Sequence, residues 1–283
     1  MVLAGVLVFI PVTAAAQILD PGDVDLSEVA ATRNVDYLPD VEYQDGRDRL
    51  DIFMPKDARA VPVIVFFHGG ALRLGDKIDG EALAARLVPE GIGVVSANYR
   101  LSPRFMHPAH VHDAAAAYAW TIQNIGRFGG DPASVFVSGH SAGGYLAALL
   151  TLDESNLRRY GVGFDVIRGA ILISPFLYVE ETARDRPKDV WGEDPVAWMK
   201  ASVTPHIGPG KPPMLLVYAD GDDEWRRGQN ERFAAAMRAA GNAVSVLQVS
   251  PRDHISLISR MNGPEDQICG AALAFIKAAG GGQ

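Results

Sequence analysis

A chain of 283 residues, 48% hydrophobic and 21% charged, is long enough to bury a large core and lies within reach of one α/β domain. Its formal net charge of −8, with no Lys/Arg stripe, argues against a nucleic-acid partner. The single cysteine, Cys269, excludes an intrachain disulfide and a cysteine-based zinc site, and its place in the last predicted helix suits a small core residue.

Residues 1–16 are apolar and end in Ala14-Ala15-Ala16, a pattern similar to the core and cleavage site of an export signal, although no basic residue precedes it. The expectation is export to a periplasm or the medium, with residues 17–283 forming a single domain; without such processing the protein would be cytoplasmic. The stretch is shorter than the roughly twenty apolar residues of a membrane span. Residues 17–35 read as an irregular lead-in, and Asp45-Gly46 as the turn of an opening hairpin.

From there strands and helices alternate. Residues 61–67 form a continuous apolar run, the mark of a strand buried on both faces of a parallel sheet. Helix over 81–88, strand over 93–99 and an Ala-rich helix over 111–125 follow, closed by turn chemistry at Gly129-Gly130-Asp131-Pro132. Later strands are expected at 135–138, 169–174, 213–218 and 243–249, with helices at 145–150, 229–240 and 265–279. The alternation predicts an α/β architecture with a mostly parallel sheet. The segment 180–210, rich in Pro, Trp and charge, breaks it and reads as a lid or cap insertion over the sheet's edge.

Within this pattern Gly139-His140-Ser141-Ala142-Gly143 stands between a strand and a helix, the context in which Gly-x-Ser-x-Gly places a nucleophilic serine on a sharp turn. Glycines two residues either side leave room for that turn, and the following helix aims free N–H groups at its start. A serine hydroxyl needs a base to take its proton and a third group to orient the base. Of seven histidines only His206 and His254 follow Ser141, and only His254 also follows a carboxylate placed just past a buried strand. That carboxylate lies among Asp220, Asp222, Asp223 and Glu224; the turn at Gly221 favours Asp222, with Asp223 second.

Acyl transfer also needs N–H donors where negative charge develops. His68-Gly69-Gly70-Ala71 follows a buried strand, so the N–H groups of Gly70, Ala71 and Ala142 are the candidate oxyanion hole. His68 itself reads as a structural hydrogen-bonder. Leu72, His140, Trp191 and Trp225 are candidates for the substrate pocket. His107, His110, His112 and Asp113 cluster without the spacing of a metal-ligand set, and no metal is expected.

Taken together, His68-Gly69-Gly70, Gly75-Asp76-Lys77, Asn98-Tyr99-Arg100-Leu101-Ser102-Pro103, Gly129-Gly130-Asp131-Pro132 and Gly139-His140-Ser141-Ala142-Gly143-Gly144 resemble the α/β-hydrolase esterases and lipases. The similarity is to the branch of hormone-sensitive-lipase-like carboxylesterases and kynurenine formamidases, and runs over about 41–276. It implies a sheet of about eight strands, no cofactor, and a Ser141–His254–Asp222 triad. Ala71 stands in place of the glycine at the fourth position of the lipase-like oxyanion motif, and Leu72 stands where many members carry Trp, which implies a differently shaped acyl pocket. The leading expectation is a serine carboxylesterase for small acyl or aryl esters. An arylformamidase acting on N-formylkynurenine uses the same machinery, and a non-catalytic binding protein on the same fold is a third reading. The sequence leaves the oligomeric state open.

Overall fold

A computed structural model of the chain describes residues 25–38, 45–185, 188–261 and 266–280; the candidate export signal and the approach to Asp45-Gly46 lie outside them. Eight strands make one sheet: β1 (Val29–Asp36), β2 (Arg49–Pro55), β3 (Val61–Phe67), β4 (Gly93–Ala97), β5 (Gly130–His140), β6 (Ile167–Ile173), β7 (Met214–Ala219) and β8 (Val244–Val249). Their spatial order is β1-β2-β4-β3-β5-β6-β7-β8. The pairs β1–β2 and β2–β4 are antiparallel, and every other pair is parallel.

The continuous apolar runs are explained by burial on both faces. In β3, Val63, Val65 and Phe67 join one core cluster while Ile64 and Phe66 join the other; in β5, Val135 and Val137 oppose Phe136. On the first face lie α2 (Ala109–Asn124) and α3 (Ala142–Leu152). The alanines of α2 at 114–117 and 119 are buried, and their small side chains let the helix sit close to its neighbours. The second face is covered by α1 (Gly80–Leu87) and the C-terminal helix Gln267–Gly280, where Cys269 is buried. Among the described residues, no helix is long and apolar enough to cross a membrane.

Three local expectations are corrected. Residues 29–36 are a strand, not irregular lead-in: β1 is a mostly exposed edge held by its ladder to β2, so it carries little apolar alternation. Gly130, Asp131 and Pro132 lie inside β5, although Asp131 still makes its local turn bond from Ala133 N–H (2.9 Å) and the register against β3 shifts there. The helix after β7 begins at Glu224, five residues before the expected start.

The insertion after β6 holds three short helices, Val179–Thr182, Lys188–Trp191 and Pro195–Ala201. The last has Asp194 at its N-cap, accepting from Val196 N–H at 2.9 Å, with Pro195 in its first turn. The insertion is tied to the sheet's C-terminal edge. Tyr145 donates its hydroxyl proton to Ala201 O (2.7 Å), His107 N–H donates to Val190 O (2.9 Å), and Arg73 pairs with Asp189 (3.1 Å).

Candidate active site

Ser141, Ser174, Asp222, His254 and the loop opened by His68 all follow the C-terminal ends of parallel strands, the edge where open α/β sheets place their sites. Ser141 has φ 54° and ψ −112°, a conformation sparsely populated by side-chain-bearing residues. Its N–H donates to Ile173 O at 2.8 Å, and its carbonyl accepts Tyr145 N–H at 3.0 Å. The flanking glycines are required by contact. A Cβ on Gly139 would lie 2.3 Å from Gly143 C, and one on Gly143 would lie 1.9 Å from Phe67 O. The elbow is therefore packed backbone against backbone on the end of β3.

Ser141 Oγ lies 2.9 Å from His254 Nε2, and His254 Nδ1 lies 2.8 Å from Asp222 Oδ1. Asp222 is the member of the four-carboxylate run that faces the imidazole, while Asp223 and Glu224 are exposed at the start of the following helix. Gly221 makes this approach feasible: its N–H donates to Arg252 O at 2.9 Å, and an added Cβ would lie 2.6 Å from that oxygen. Asp220 anchors the histidine loop, accepting from Arg252 N–H (2.9 Å) and the Ser250 hydroxyl (2.6 Å). Asp253 and Ser256 bond reciprocally on the far side of His254, each backbone N–H meeting the other's side-chain oxygen at 2.7 Å.

Burial of Asp222 works to raise its pKa. The hydrogen bond from His254, the Ala219 N–H at 2.8 Å, the charge of His254 and the Ser174 hydroxyl outweigh it, leaving the carboxyl below its ordinary value. A carboxylate on Nδ1 selects the tautomer that carries its proton there, which leaves Nε2 free to accept from Ser141.

The Gly69-Gly70-Ala71 loop passes beside the serine: a Cβ on Gly69 would lie 3.5 Å from Ser141 Cβ. Gly70, Ala71 and Leu72 all have positive φ (105°, 56° and 63°), a strained run that turns the chain back. Gly70 O accepts from Arg73 and Leu74 N–H, and a Cβ on Gly70 would meet Leu74 O at 2.1 Å. Tyr99 braces the loop from below, stacking on His68 (4.3 Å between centroids) and donating its hydroxyl proton to His68 O at 2.9 Å. His68 is fully buried with Nδ1 on Gly69 O, and burial lowers its pKa to about 4. Ala142 opens α3, where the first N–H groups have no partner within the helix.

The four pocket candidates divide. Leu72 is fully buried and packs in the core cluster. His140 is also buried: its Nε2 donates to His254 O at 2.9 Å and its ring lies 4.7 Å from that of His254. Burial and the neighbouring His254 lower its pKa to about 3, so it stays neutral beside that ring. Trp191 is buried, edge-on to Phe176 (5.5 Å) and Tyr145 (6.2 Å), and Trp225 is 40% exposed under the Arg226 guanidinium. In the His107 cluster, His110 Nε2 meets Ser102 Oγ and Asp113 takes a bidentate bond from Arg100; among the described residues no group of His, Cys, Asp or Glu could hold a metal.

Two residues outside the sequence-derived set reach the centre. Ser174 Oγ lies 2.9 and 2.8 Å from the two Asp222 oxygens and 2.9 Å from His254 Nδ1. Arg226, buried, donates to Ser174 O at 2.9 Å and lies 3.7 Å from Asp222 Oδ1. The available signal was slight: a serine closing the apolar run 169–173 just before Pro175.

The family model described as the alpha/beta hydrolase fold matches residues 64–257. The chain belongs to the alpha/beta hydrolase family. Esterase LipQ of Mycobacterium tuberculosis is 29% identical to this hydrolase over 80% of the chain. A probable isoprenylcysteine alpha-carbonyl methylesterase of Oryza sativa subsp. japonica is 37% identical over 81%. The chain spans 57% and 60% of those two relatives' own lengths. An esterase of Thermogutta terrifontis shares the fold, with a TM-score of 0.71 at 24% identity covering 90% of this chain and 94% of that one.

Proposed function

We propose that this alpha/beta hydrolase is a serine carboxylesterase acting on small acyl or aryl esters. The observation that carries the reading is the continuous hydrogen-bond chain from Ser141 Oγ through both nitrogens of His254 to Asp222. In this mechanism Ser141 attacks the acyl carbon as His254 Nε2 takes its proton. The oxyanion accepts the N–H groups of Gly70, Ala71 and Ala142, each worth about a hundred- to a thousandfold in rate. His254 then returns the proton to the leaving alkoxide, and a water activated by the same imidazole resolves the acyl-enzyme. The esterase names of the relatives support the ester as the bond cleaved.

A second reading, formamide hydrolysis, is favoured by one relative: a kynurenine formamidase of Danio rerio is 27% identical, and the chain covers 76% of its length. The test is steady-state turnover of p-nitrophenyl butyrate and of N-formylkynurenine by the wild type and Ser141→Ala. Ester turnover that vanishes in the variant supports the esterase; faster turnover of the formamide favours the second reading, and no difference between the proteins on either substrate refutes both.

A further inference from the structure

We propose that Ser174 is a positioning residue of the hydrolytic machinery, its hydroxyl acting as a second acceptor for the His254 Nδ1 proton while donating its own proton to Asp222. The inference rests on the esterase reading and adds to it a group that no triad motif specifies.

Ser174 sits one residue beyond β6 and is fully buried. Its hydroxyl has one proton and two lone pairs, and three partners lie within 2.9 Å: Asp222 Oδ1, Asp222 Oδ2 and His254 Nδ1. With Nδ1 protonated, one distribution satisfies all of them. The Ser174 O–H donates to the carboxylate, and the Nδ1–H is shared between Asp222 Oδ1 and Ser174 Oγ. The imidazole is then held by two acceptors on different strands' loops, one after β6 and one after β7. Rotation of the ring about χ2 would break both contacts, so Nε2 stays on Ser141.

The backbone holds Ser174 in this place at a cost. Its φ of 45° lies in the left-handed region, which disfavours residues with a Cβ. It is kept there by N–H donation to Val217 O at 2.7 Å and by the Arg226 guanidinium on its carbonyl at 2.9 Å. A glycine would satisfy this conformation without strain, so the hydroxyl is what the position supplies beyond backbone geometry.

The test uses Ser174→Ala, which removes the hydroxyl and keeps the Cβ, and Ser174→Gly, which removes the hydroxyl and relieves the backbone. For each, kcat and KM are measured on p-nitrophenyl butyrate, cooperative melting is checked by circular dichroism, and the low-field Nδ1 proton of His254 is observed by NMR. Losing a hydrogen bond to a charged pair corresponds to about a ten- to hundredfold fall in kcat. That fall is expected in both variants, with KM within about threefold of wild type and the Nδ1 resonance displaced. A kcat within twofold of wild type in either folded variant, a loss confined to KM, an unmoved Nδ1 resonance, or failure of both variants to fold would overturn the role. Wild-type turnover with such a result removes the Ser174 inference alone, whereas a wild type without turnover removes the esterase reading along with it.

Discussion

Replacing Asp222 with Asn should nearly abolish turnover while leaving the protein folded, because the surroundings dictate which way the amide points. Asp222 Oδ2 accepts Ala219 N–H at 2.8 Å and the Ser174 hydroxyl at 2.8 Å. Both are donors, so the amide oxygen must occupy that position and the NH2 must occupy the Oδ1 position, 2.8 Å from His254 Nδ1. Two donors cannot face each other at that distance. The imidazole therefore adopts the other tautomer, with its proton on Nε2, and Ser141 meets an N–H instead of a lone pair. The same tautomer error in serine proteases lowers kcat by about 10⁴, which corresponds to about 5.5 kcal/mol of barrier. The assay is kcat and KM on p-nitrophenyl butyrate for wild type, Asp222→Asn and the exposed control Asp223→Asn. The expected result is a kcat loss of about 10³ to 10⁴ with nearly unchanged KM for the first, and wild-type kinetics for the control. A loss of less than about tenfold in Asp222→Asn would refute the tautomer argument.

Other substitutions test the scaffold. Gly143→Ala puts a Cβ against the Phe67 carbonyl, a backbone clash that should destabilise by about 3 kcal/mol or more and cut activity with it; a wild-type melt would contradict the packing described. Trp191→Ala should cost about 3–5 kcal/mol in urea unfolding, since it empties a buried aromatic contact with Phe176 and Tyr145. Asp79 is buried, and burial together with Asp76 raises its pKa from 3.8 to about 7. Between those values the folded protein retains a proton that the unfolded chain releases, so stability falls as pH rises through the window. Asp79→Asn should flatten that slope and be more stable than wild type above pH 7, on the order of a few kcal/mol by chemical denaturation. An unchanged slope between pH 4 and 7 would count against the shift.

What could be read from the sequence depended on how locally each feature is determined. The elbow was legible because Gly139 and Gly143 are forced by contacts with atoms a few residues away or at the end of the adjoining strand. Strands β3 and β5 were legible because burial on both faces leaves an uninterrupted apolar run. The strand at 29–36 was not, since an exposed edge needs only its backbone ladder. Choosing among Asp220, Asp222, Asp223 and Glu224 turned on the direction of the chain at Gly221. The positive φ values of Ala71 and Leu72 were not legible, since neither residue type announces them, although Gly70 before them is the type that favours that region. Ser174 was hidden for a different reason: its meaning comes wholly from partners 48 and 80 residues away.

Where Gly143 meets the end of β3, a Cβ on it would first meet main-chain atoms of Phe67 and His68. The Ser141 turn and the Gly69–Gly70 loop are thus held in register by close main-chain contact, and the 188–201 excursion is fastened to both, through Tyr145 on Ala201 O and Arg73 on Asp189. Reshaping that excursion therefore also loads the helix that begins after Ser141 and the loop beside it.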